Sequence, residues 1–123
     1  MKPFNLQTVP TAQLVERFAS LGLGQYQAEL MGDIAKENRL LLQMRAVTEE
    51  LKSRPGDQRS ALLGLYDHPN VQVRLMAARL TLAVAPATAR HVLESIKASK
   101  EYPHAADAGM CLWNLDRGVF KPT

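Results

Sequence analysis

Three side chains that could act together chemically lie near the C-terminal end of the chain: His104, Asp107 and Cys111. On an α-helix this spacing places all three on one face, as a cysteine nucleophile and its base would require. The helical rise argues against that chemistry, because seven residues span about 10.5 Å, whereas a nucleophile and its base lie about 3 Å apart. We therefore expect a packed Cys111 and a capping or charge-pairing Asp107, and the sequence predicts no catalytic residue.

The histidines do not indicate a metal site. His68, His91 and His104 are scattered and lack the HxxxH or HExxH spacing that places two ring nitrogens on one helix face. There is no glycine-rich phosphate loop and no GxSxG nucleophile elbow. We therefore predict no metal, no cofactor and no enzymatic activity, with an enzyme of unknown class as the last alternative.

Length and composition are those of an ordinary globular domain. The 123 residues are 46% hydrophobic and 22% charged, which predicts one domain over residues 1–123. The net charge is +3, but no basic block stands out, so charge alone is weak support for nucleic-acid binding. The longest apolar stretch is broken by Arg79 and Pro86, so we predict no membrane partner. One cysteine and no signal-like N-terminus predict a cytoplasmic location.

Hydrophobic spacing and turn residues predict an all-α protein of about six helices. The predicted helices run from Thr11 to Leu21, from about Tyr26 to Ser53, from Gln58 to Tyr66, from the Asn70 cap to about Ala85, from Pro86 to Ser99, and from His104 to Asp116. The segment 26–53 is expected to be one long helix with a kink at residues 38–39, and a division into two helices there is left open.

A stripe of apolar residues in this long helix has two interpretations. Leu40, Met44, Val47 and Leu51 follow one another at steps of four, three and four residues, so they share one helix face. The stripe could lie in the core of one chain or form the seam of a homodimer. The sequence therefore leaves both a monomer and a homodimer open.

The segment Leu62–Ala85, LLGLYDHPNVQVRLMAARLTLAVA, resembles a HEAT repeat. Such repeats have a leucine-rich helix end followed by Asp, Pro, Val-Arg, a small pair and further leucine. The matching residues are Leu62, Leu65, Asp67, Pro69, Val73, Arg74, Ala77, Ala78 and Leu82. A second turn at Pro103 lies 34 residues after Pro69, a spacing typical of solenoid repeats. Asp107-Ala108 stands there in place of Val-Arg, which makes the second unit a degenerate repeat or a cap.

The whole chain is similar to small bacterial HEAT-like proteins of unknown function. The likeness lies in the long N-terminal helical region, the Arg54–Asp57 break and the segment Asp107–Trp113. It implies a short right-handed α-α superhelix, HEAT- or armadillo-like, with the N-terminal region packed as a cap. In such stacks charged residues form ladders between repeats, so Arg74 is expected to pair with Asp67 or Asp107.

Helical-repeat proteins usually bind other proteins or peptides in the groove along their inner helices. We therefore predict a protein-interaction or adaptor module, and within that class an inhibitor or immunity role. The expected partner contacts are Gln72, Arg79, Thr81, His104 and Asn114. The main alternative is a nucleic-acid-binding protein with a basic stripe made of Arg74, Arg79, Arg90, Lys97 and Lys100, while Trp113 is expected to lie in the core.

Overall fold

The computed structural model describes residues 5–123, which form five α-helices and two 3-10 segments and contain no strand. The α-helices are α1 (Thr11–Leu30), α2 (Ile34–Ser53), α3 (Val71–Leu80), α4 (Pro86–Ser99) and α5 (His104–Asp116), and the 3-10 segments are Leu6–Thr8 and Gln58–Asp67. The all-α prediction is confirmed. The chain divides into two compact units, one ending at Ala61 and one spanning Leu62–Thr123. The right-handed superhelix and the single domain stay predictions.

The first unit is built on the helical hairpin of α1 and α2. Met44, Val47 and Leu51 of the predicted stripe are fully buried, so this face of α2 is core and not an open dimer seam. Leu40 lies against Gly24 so closely that a Cβ atom at residue 24 would sit 3.1 Å from a Leu40 methyl group. The glycine therefore permits a close approach of the two helices.

The predicted division of this region was wrong in its position. α1 continues through Gly22 and Gly24 to Leu30, and α2 begins at Ile34 and runs without interruption through residues 38–39. The turn falls at Gly32, whose φ of +70° lies in the left-handed region, and Asp33 caps α2 by accepting a hydrogen bond from the backbone N–H of Lys36. Packing against α2 holds the glycines of α1 in helix although they are intrinsically poor helix formers.

Replacing Gly32 with alanine is expected to lower the free energy of unfolding by about 1 kcal/mol, because a Cβ atom is unfavourable at positive φ. A Cβ atom at residue 32 would meet no other atom within 4 Å, so the cost comes from the backbone alone. Gly64→Ala is the matched control, since that position is equally open and has no positive φ. Urea denaturation of both variants checks the prediction, and equal midpoints would contradict it.

The second unit has its core among α3, α4 and α5. Its buried cluster comprises Leu75, Ala78, Leu82, Ala89, Leu93, Ile96, Ala108, Cys111 and Leu112. The three alanines are fully buried, and small side chains at a helix contact allow the helix axes to come close together. The expectation of a packed Cys111 is therefore confirmed, whereas Trp113, expected in the core, is 55% exposed.

Most helix boundaries of the second unit lie where the sequence predicts them. The predicted bounds of α4 and α5 are confirmed, and Asn70 caps α3 by accepting hydrogen bonds from the N–H groups of Gln72 and Val73. α3 ends at Leu80 and not near Ala85: Thr81 is its C-cap, and the N–H groups of Val84 and Ala85 both donate to the carbonyl oxygen of Thr81 in a turn. The segment expected to be a helix over Gln58–Tyr66 is of the 3-10 type.

No helix within residues 5–123 combines the length and the apolar character that crossing a membrane requires.

Candidate functional site

A groove of about 560 Å³ opens on the second unit, and we call it the α3–α4 groove. One side is formed by the end of the second 3-10 segment and by α3, and the other side by α4. Its lining residues are Leu63, Tyr66, Asp67, Arg74, Thr88, His91, Val92, Ser95 and Ile96. The floor is apolar and the rim polar, which is the usual composition of a binding site.

The floor of the groove is held in place from below. Tyr66 and Val92 pack against the buried cluster of the second unit. The Tyr66 hydroxyl is hydrogen-bonded to the Thr81 hydroxyl, which donates in turn to the carbonyl oxygen of Ala77. Burial raises the pKa of the Tyr66 phenol, so the ring stays neutral at physiological pH. The floor is therefore a fixed apolar surface whose one hydroxyl group is already bonded.

The rim on the α3 side is formed by two charged residues, Asp67 and Arg74. Nη1 of Arg74 donates to the carbonyl oxygens of His68 and Pro69, at 2.7 and 3.0 Å. The predicted pairing of Arg74 with Asp67 or Asp107 was therefore wrong: the turn before α3 leaves two backbone carbonyls without helical partners, and the guanidinium binds these instead. Asp107 lies exposed in the first turn of α5.

The rim on the α4 side is polar and contains no acidic, lysine or arginine side chain. Thr88, His91 and Ser95 are exposed and follow one another at steps of three and four residues, so they share one helix face. This face was not among the predicted binding surfaces, because Thr88 and Ser95 belong to no recognisable motif. The signal was present in the regular spacing of small and polar residues beside Val92.

The five expected partner contacts do not come together in the groove. Thr81 is fully buried and His104 is 5% exposed, so the structure removes both from the accessible surface. Gln72, Arg79 and Asn114 are partly exposed but do not line the groove. The backbone carbonyl of Asn114 accepts hydrogen bonds from the N–H groups of Val119 and Phe120, which gives this residue a part in ending α5.

The basic stripe expected for nucleic acid is partly neutralised within the chain. Arg90 forms ion pairs with Glu94 at 2.9 Å and with Asp116 at 2.8 Å, and the Arg90 guanidinium lowers the pKa of the Asp116 carboxyl. Arg79 is directed at the sulfur of Met76, at 3.7 Å. Of the five cations, Arg90 is thus neutralised by carboxylates, whereas Arg79 faces a neutral sulfur and keeps its charge, so the nucleic-acid alternative is weakened at one position.

The possible nucleophile of α5 is not activated. Burial raises the pKa of the Cys111 thiol, and the nearby Arg79 only partly offsets this effect. A thiol with a raised pKa remains protonated near neutral pH and is a poor nucleophile and metal ligand. Over the described part of the chain, no three or more histidine, cysteine, aspartate or glutamate side chains lie together so that they could hold a metal ion.

The fold and the groove define a small all-helical protein whose second unit has an open, mainly apolar depression. A family model described as "Domain of unknown function (DUF2019)" matches residues 12–116, and the chain belongs to this family. The crystal structure of the protein RPA1889 from Rhodopseudomonas palustris CGA009 is 51% identical and superposes with a TM-score of 0.94, over 98% of this chain and 100% of that chain. Comparison with curated proteins gives no match.

Proposed function

We propose that this chain is a protein-interaction module that holds a segment of another protein in the α3–α4 groove. The observation that supports the proposal is the groove itself, in which a fixed apolar floor lies between two polar rims. A partner's apolar side chain would lose its contact with water on the floor, while its backbone and polar groups would meet the rims. We also propose that the chain acts by binding and catalyses no reaction.

The energetic case rests on Tyr66 and Val92. Burying one large apolar side chain of a partner against such a floor contributes about 1.5–3 kcal/mol. The Tyr66 ring adds little ordering cost, because its hydroxyl is already bonded to Thr81 and it packs on the buried cluster. A surface arranged before binding gives tighter association than one that must be ordered by the partner.

The proposal includes more specific expectations about the fold, the role and the location of the protein. The HEAT-like resemblance of residues 62–85 favours a short right-handed α-α superhelix, in which a groove beside stacked helices is the usual place for a partner. Within the interaction class we propose an inhibitor or immunity role, exerted by occupying a segment of another protein. We place this activity in the cytoplasm on the grounds of cysteine usage.

A random-peptide library displayed on phage tests the proposal with the full chain as bait. We expect the selected peptides to share an apolar anchor. We also expect them to bind Ser95→Trp at least about tenfold more weakly than the parent protein, because the exposed serine lines the groove and an indole there would fill it. Ser60→Trp is the control, since Ser60 is also exposed and lies outside the groove.

Circular dichroism of both tryptophan variants establishes that each retains the helical content of the parent. Recovery of no peptide, or of peptides that bind Ser95→Trp as tightly as the parent, would contradict the proposal. Peptides that lose affinity for both variants would place their binding surface elsewhere and would also count against the groove.

A further inference from the structure

We propose that the α3–α4 groove selects partner segments that present one carboxylate and one cation beside their apolar anchor, the carboxylate to Arg74 and the cation to Asp67. This inference rests on the proposed function and specifies the chemistry of the partner. It comes from two rim charges that the chain itself leaves uncompensated.

Arg74 is positioned without being neutralised. A guanidinium has five N–H donors, and the two hydrogen bonds to His68 and Pro69 both come from Nη1. Backbone carbonyls orient the side chain and leave its full positive charge. Among residues 5–123, no carboxylate lies within ion-pair distance of Arg74. Its Nε and Nη2 edge is therefore suited to a carboxylate supplied by the partner, in the paired geometry that arginine favours.

Asp67 is the negative counterpart on the same rim. It is exposed and lines the groove, and within residues 5–123 its carboxylate forms no ion pair. Because the turn holds the Arg74 side chain, the two rim charges remain separate within one groove. A partner with the opposite charges compensates both, whereas a segment with two like charges meets repulsion at one of them.

The opposite rim makes the charge preference directional. Thr88, His91 and Ser95 of α4 present no fixed charge, so both charged contacts fall on the α3 side. A bound segment would therefore place its charged residues toward Asp67 and Arg74 and its neutral residues toward α4. Reversing the segment's charge order would exchange the favourable contacts for repulsive ones.

Double-mutant cycles test the inference with peptides selected on the parent protein. Each peptide is synthesised in three forms: unchanged, with its acidic residue replaced by glutamine, and with its basic residue replaced by glutamine. We expect Arg74→Gln to weaken the parent peptide about tenfold and to leave the acid-to-glutamine peptide unaffected. Asp67→Lys is expected to weaken the parent peptide about threefold, a smaller effect because Asp67 is exposed. The base-to-glutamine peptide should bind Asp67→Lys with the same affinity as it binds the parent protein.

The outcomes separate the inference from the proposed function. Selected peptides that share an apolar anchor, bind in the groove and show no coupling to Arg74 or Asp67 would overturn the inference while the interaction role stands. Recovery of no peptide would overturn both. Because Arg74→Gln removes two bonds of the turn, Asp67→Lys serves as the second variant, since the Asp67 side chain is exposed and forms no ion pair within residues 5–123.

Discussion

Replacing Leu93 with alanine is expected to lower the free energy of unfolding by about 3 kcal/mol, the middle of the range for a fully buried leucine. Leu93 lies on α4 in the buried cluster of the second unit and has no exposed surface. Its truncation removes apolar contacts and leaves a cavity. The neighbouring Ala89 and Ala108 have no side-chain length with which to fill that cavity, and this argues against a smaller loss.

Equilibrium urea denaturation followed by circular dichroism measures this change, and Leu42→Ala provides the control. Leu42 lies on α2 and is 66% exposed, so the same chemical change there should alter stability by less than about 0.5 kcal/mol. Equal losses in the two variants would show that the burial of Leu93 does not contribute as the structure indicates.

Arg54→Met is expected to lower the free energy of unfolding by about 3 kcal/mol, because the change breaks a half-buried charge network. The guanidinium donates to Glu50 at 2.8 Å and to the Thr11 hydroxyl at 3.0 Å. It also donates to the carbonyl oxygens of Leu6 and Val9, at 3.0 and 2.6 Å. Methionine retains most of the apolar stem and leaves all four acceptors without this donor.

Arg90→Met is the matched control for this prediction. Arg90 bonds two carboxylates where Arg54 bonds one, those of Glu94 and Asp116, but the side chains of its network are 38–56% exposed. Water replaces such partners readily, so little change in stability is expected. Thermal or urea unfolding of both variants checks the contrast, and a larger effect at Arg90 than at Arg54 would refute it.

The helices of the second unit were predictable because their ends are marked by strong local signals. Pro86 fixes a helix start through its ring-restricted backbone and Asn70 through its side-chain oxygen, whatever packs around them. The first hairpin was not predictable in the same way. Gly22 and Gly24 look like a turn locally, yet close packing against Leu40 keeps them in helix, and that packing depends on residues far along the chain.

The groove was predictable only in part. Asp67 and Arg74 stand out in the sequence, but the expected pairing was wrong because backbone carbonyls in the Pro69 turn compete for the same guanidinium. Neither the outcome of that competition nor the position of α4 opposite the turn can be derived from residue spacing. The buried position of Thr81 was missed for the same reason, since its hydroxyl partner Tyr66 lies 15 residues earlier.

The single tryptophan of the chain has a consequence for how unfolding can be observed. Trp113 is 55% exposed, and the guanidinium carbon of Arg117 lies 4.5 Å from its ring centroid. Its fluorescence therefore reports on the C-terminal turn of α5 and on local solvent contact, whereas helical ellipticity reports on all the α-helices. Comparing the fluorescence transition with the loss of helical ellipticity thus distinguishes fraying at one end of the chain from cooperative melting of the whole.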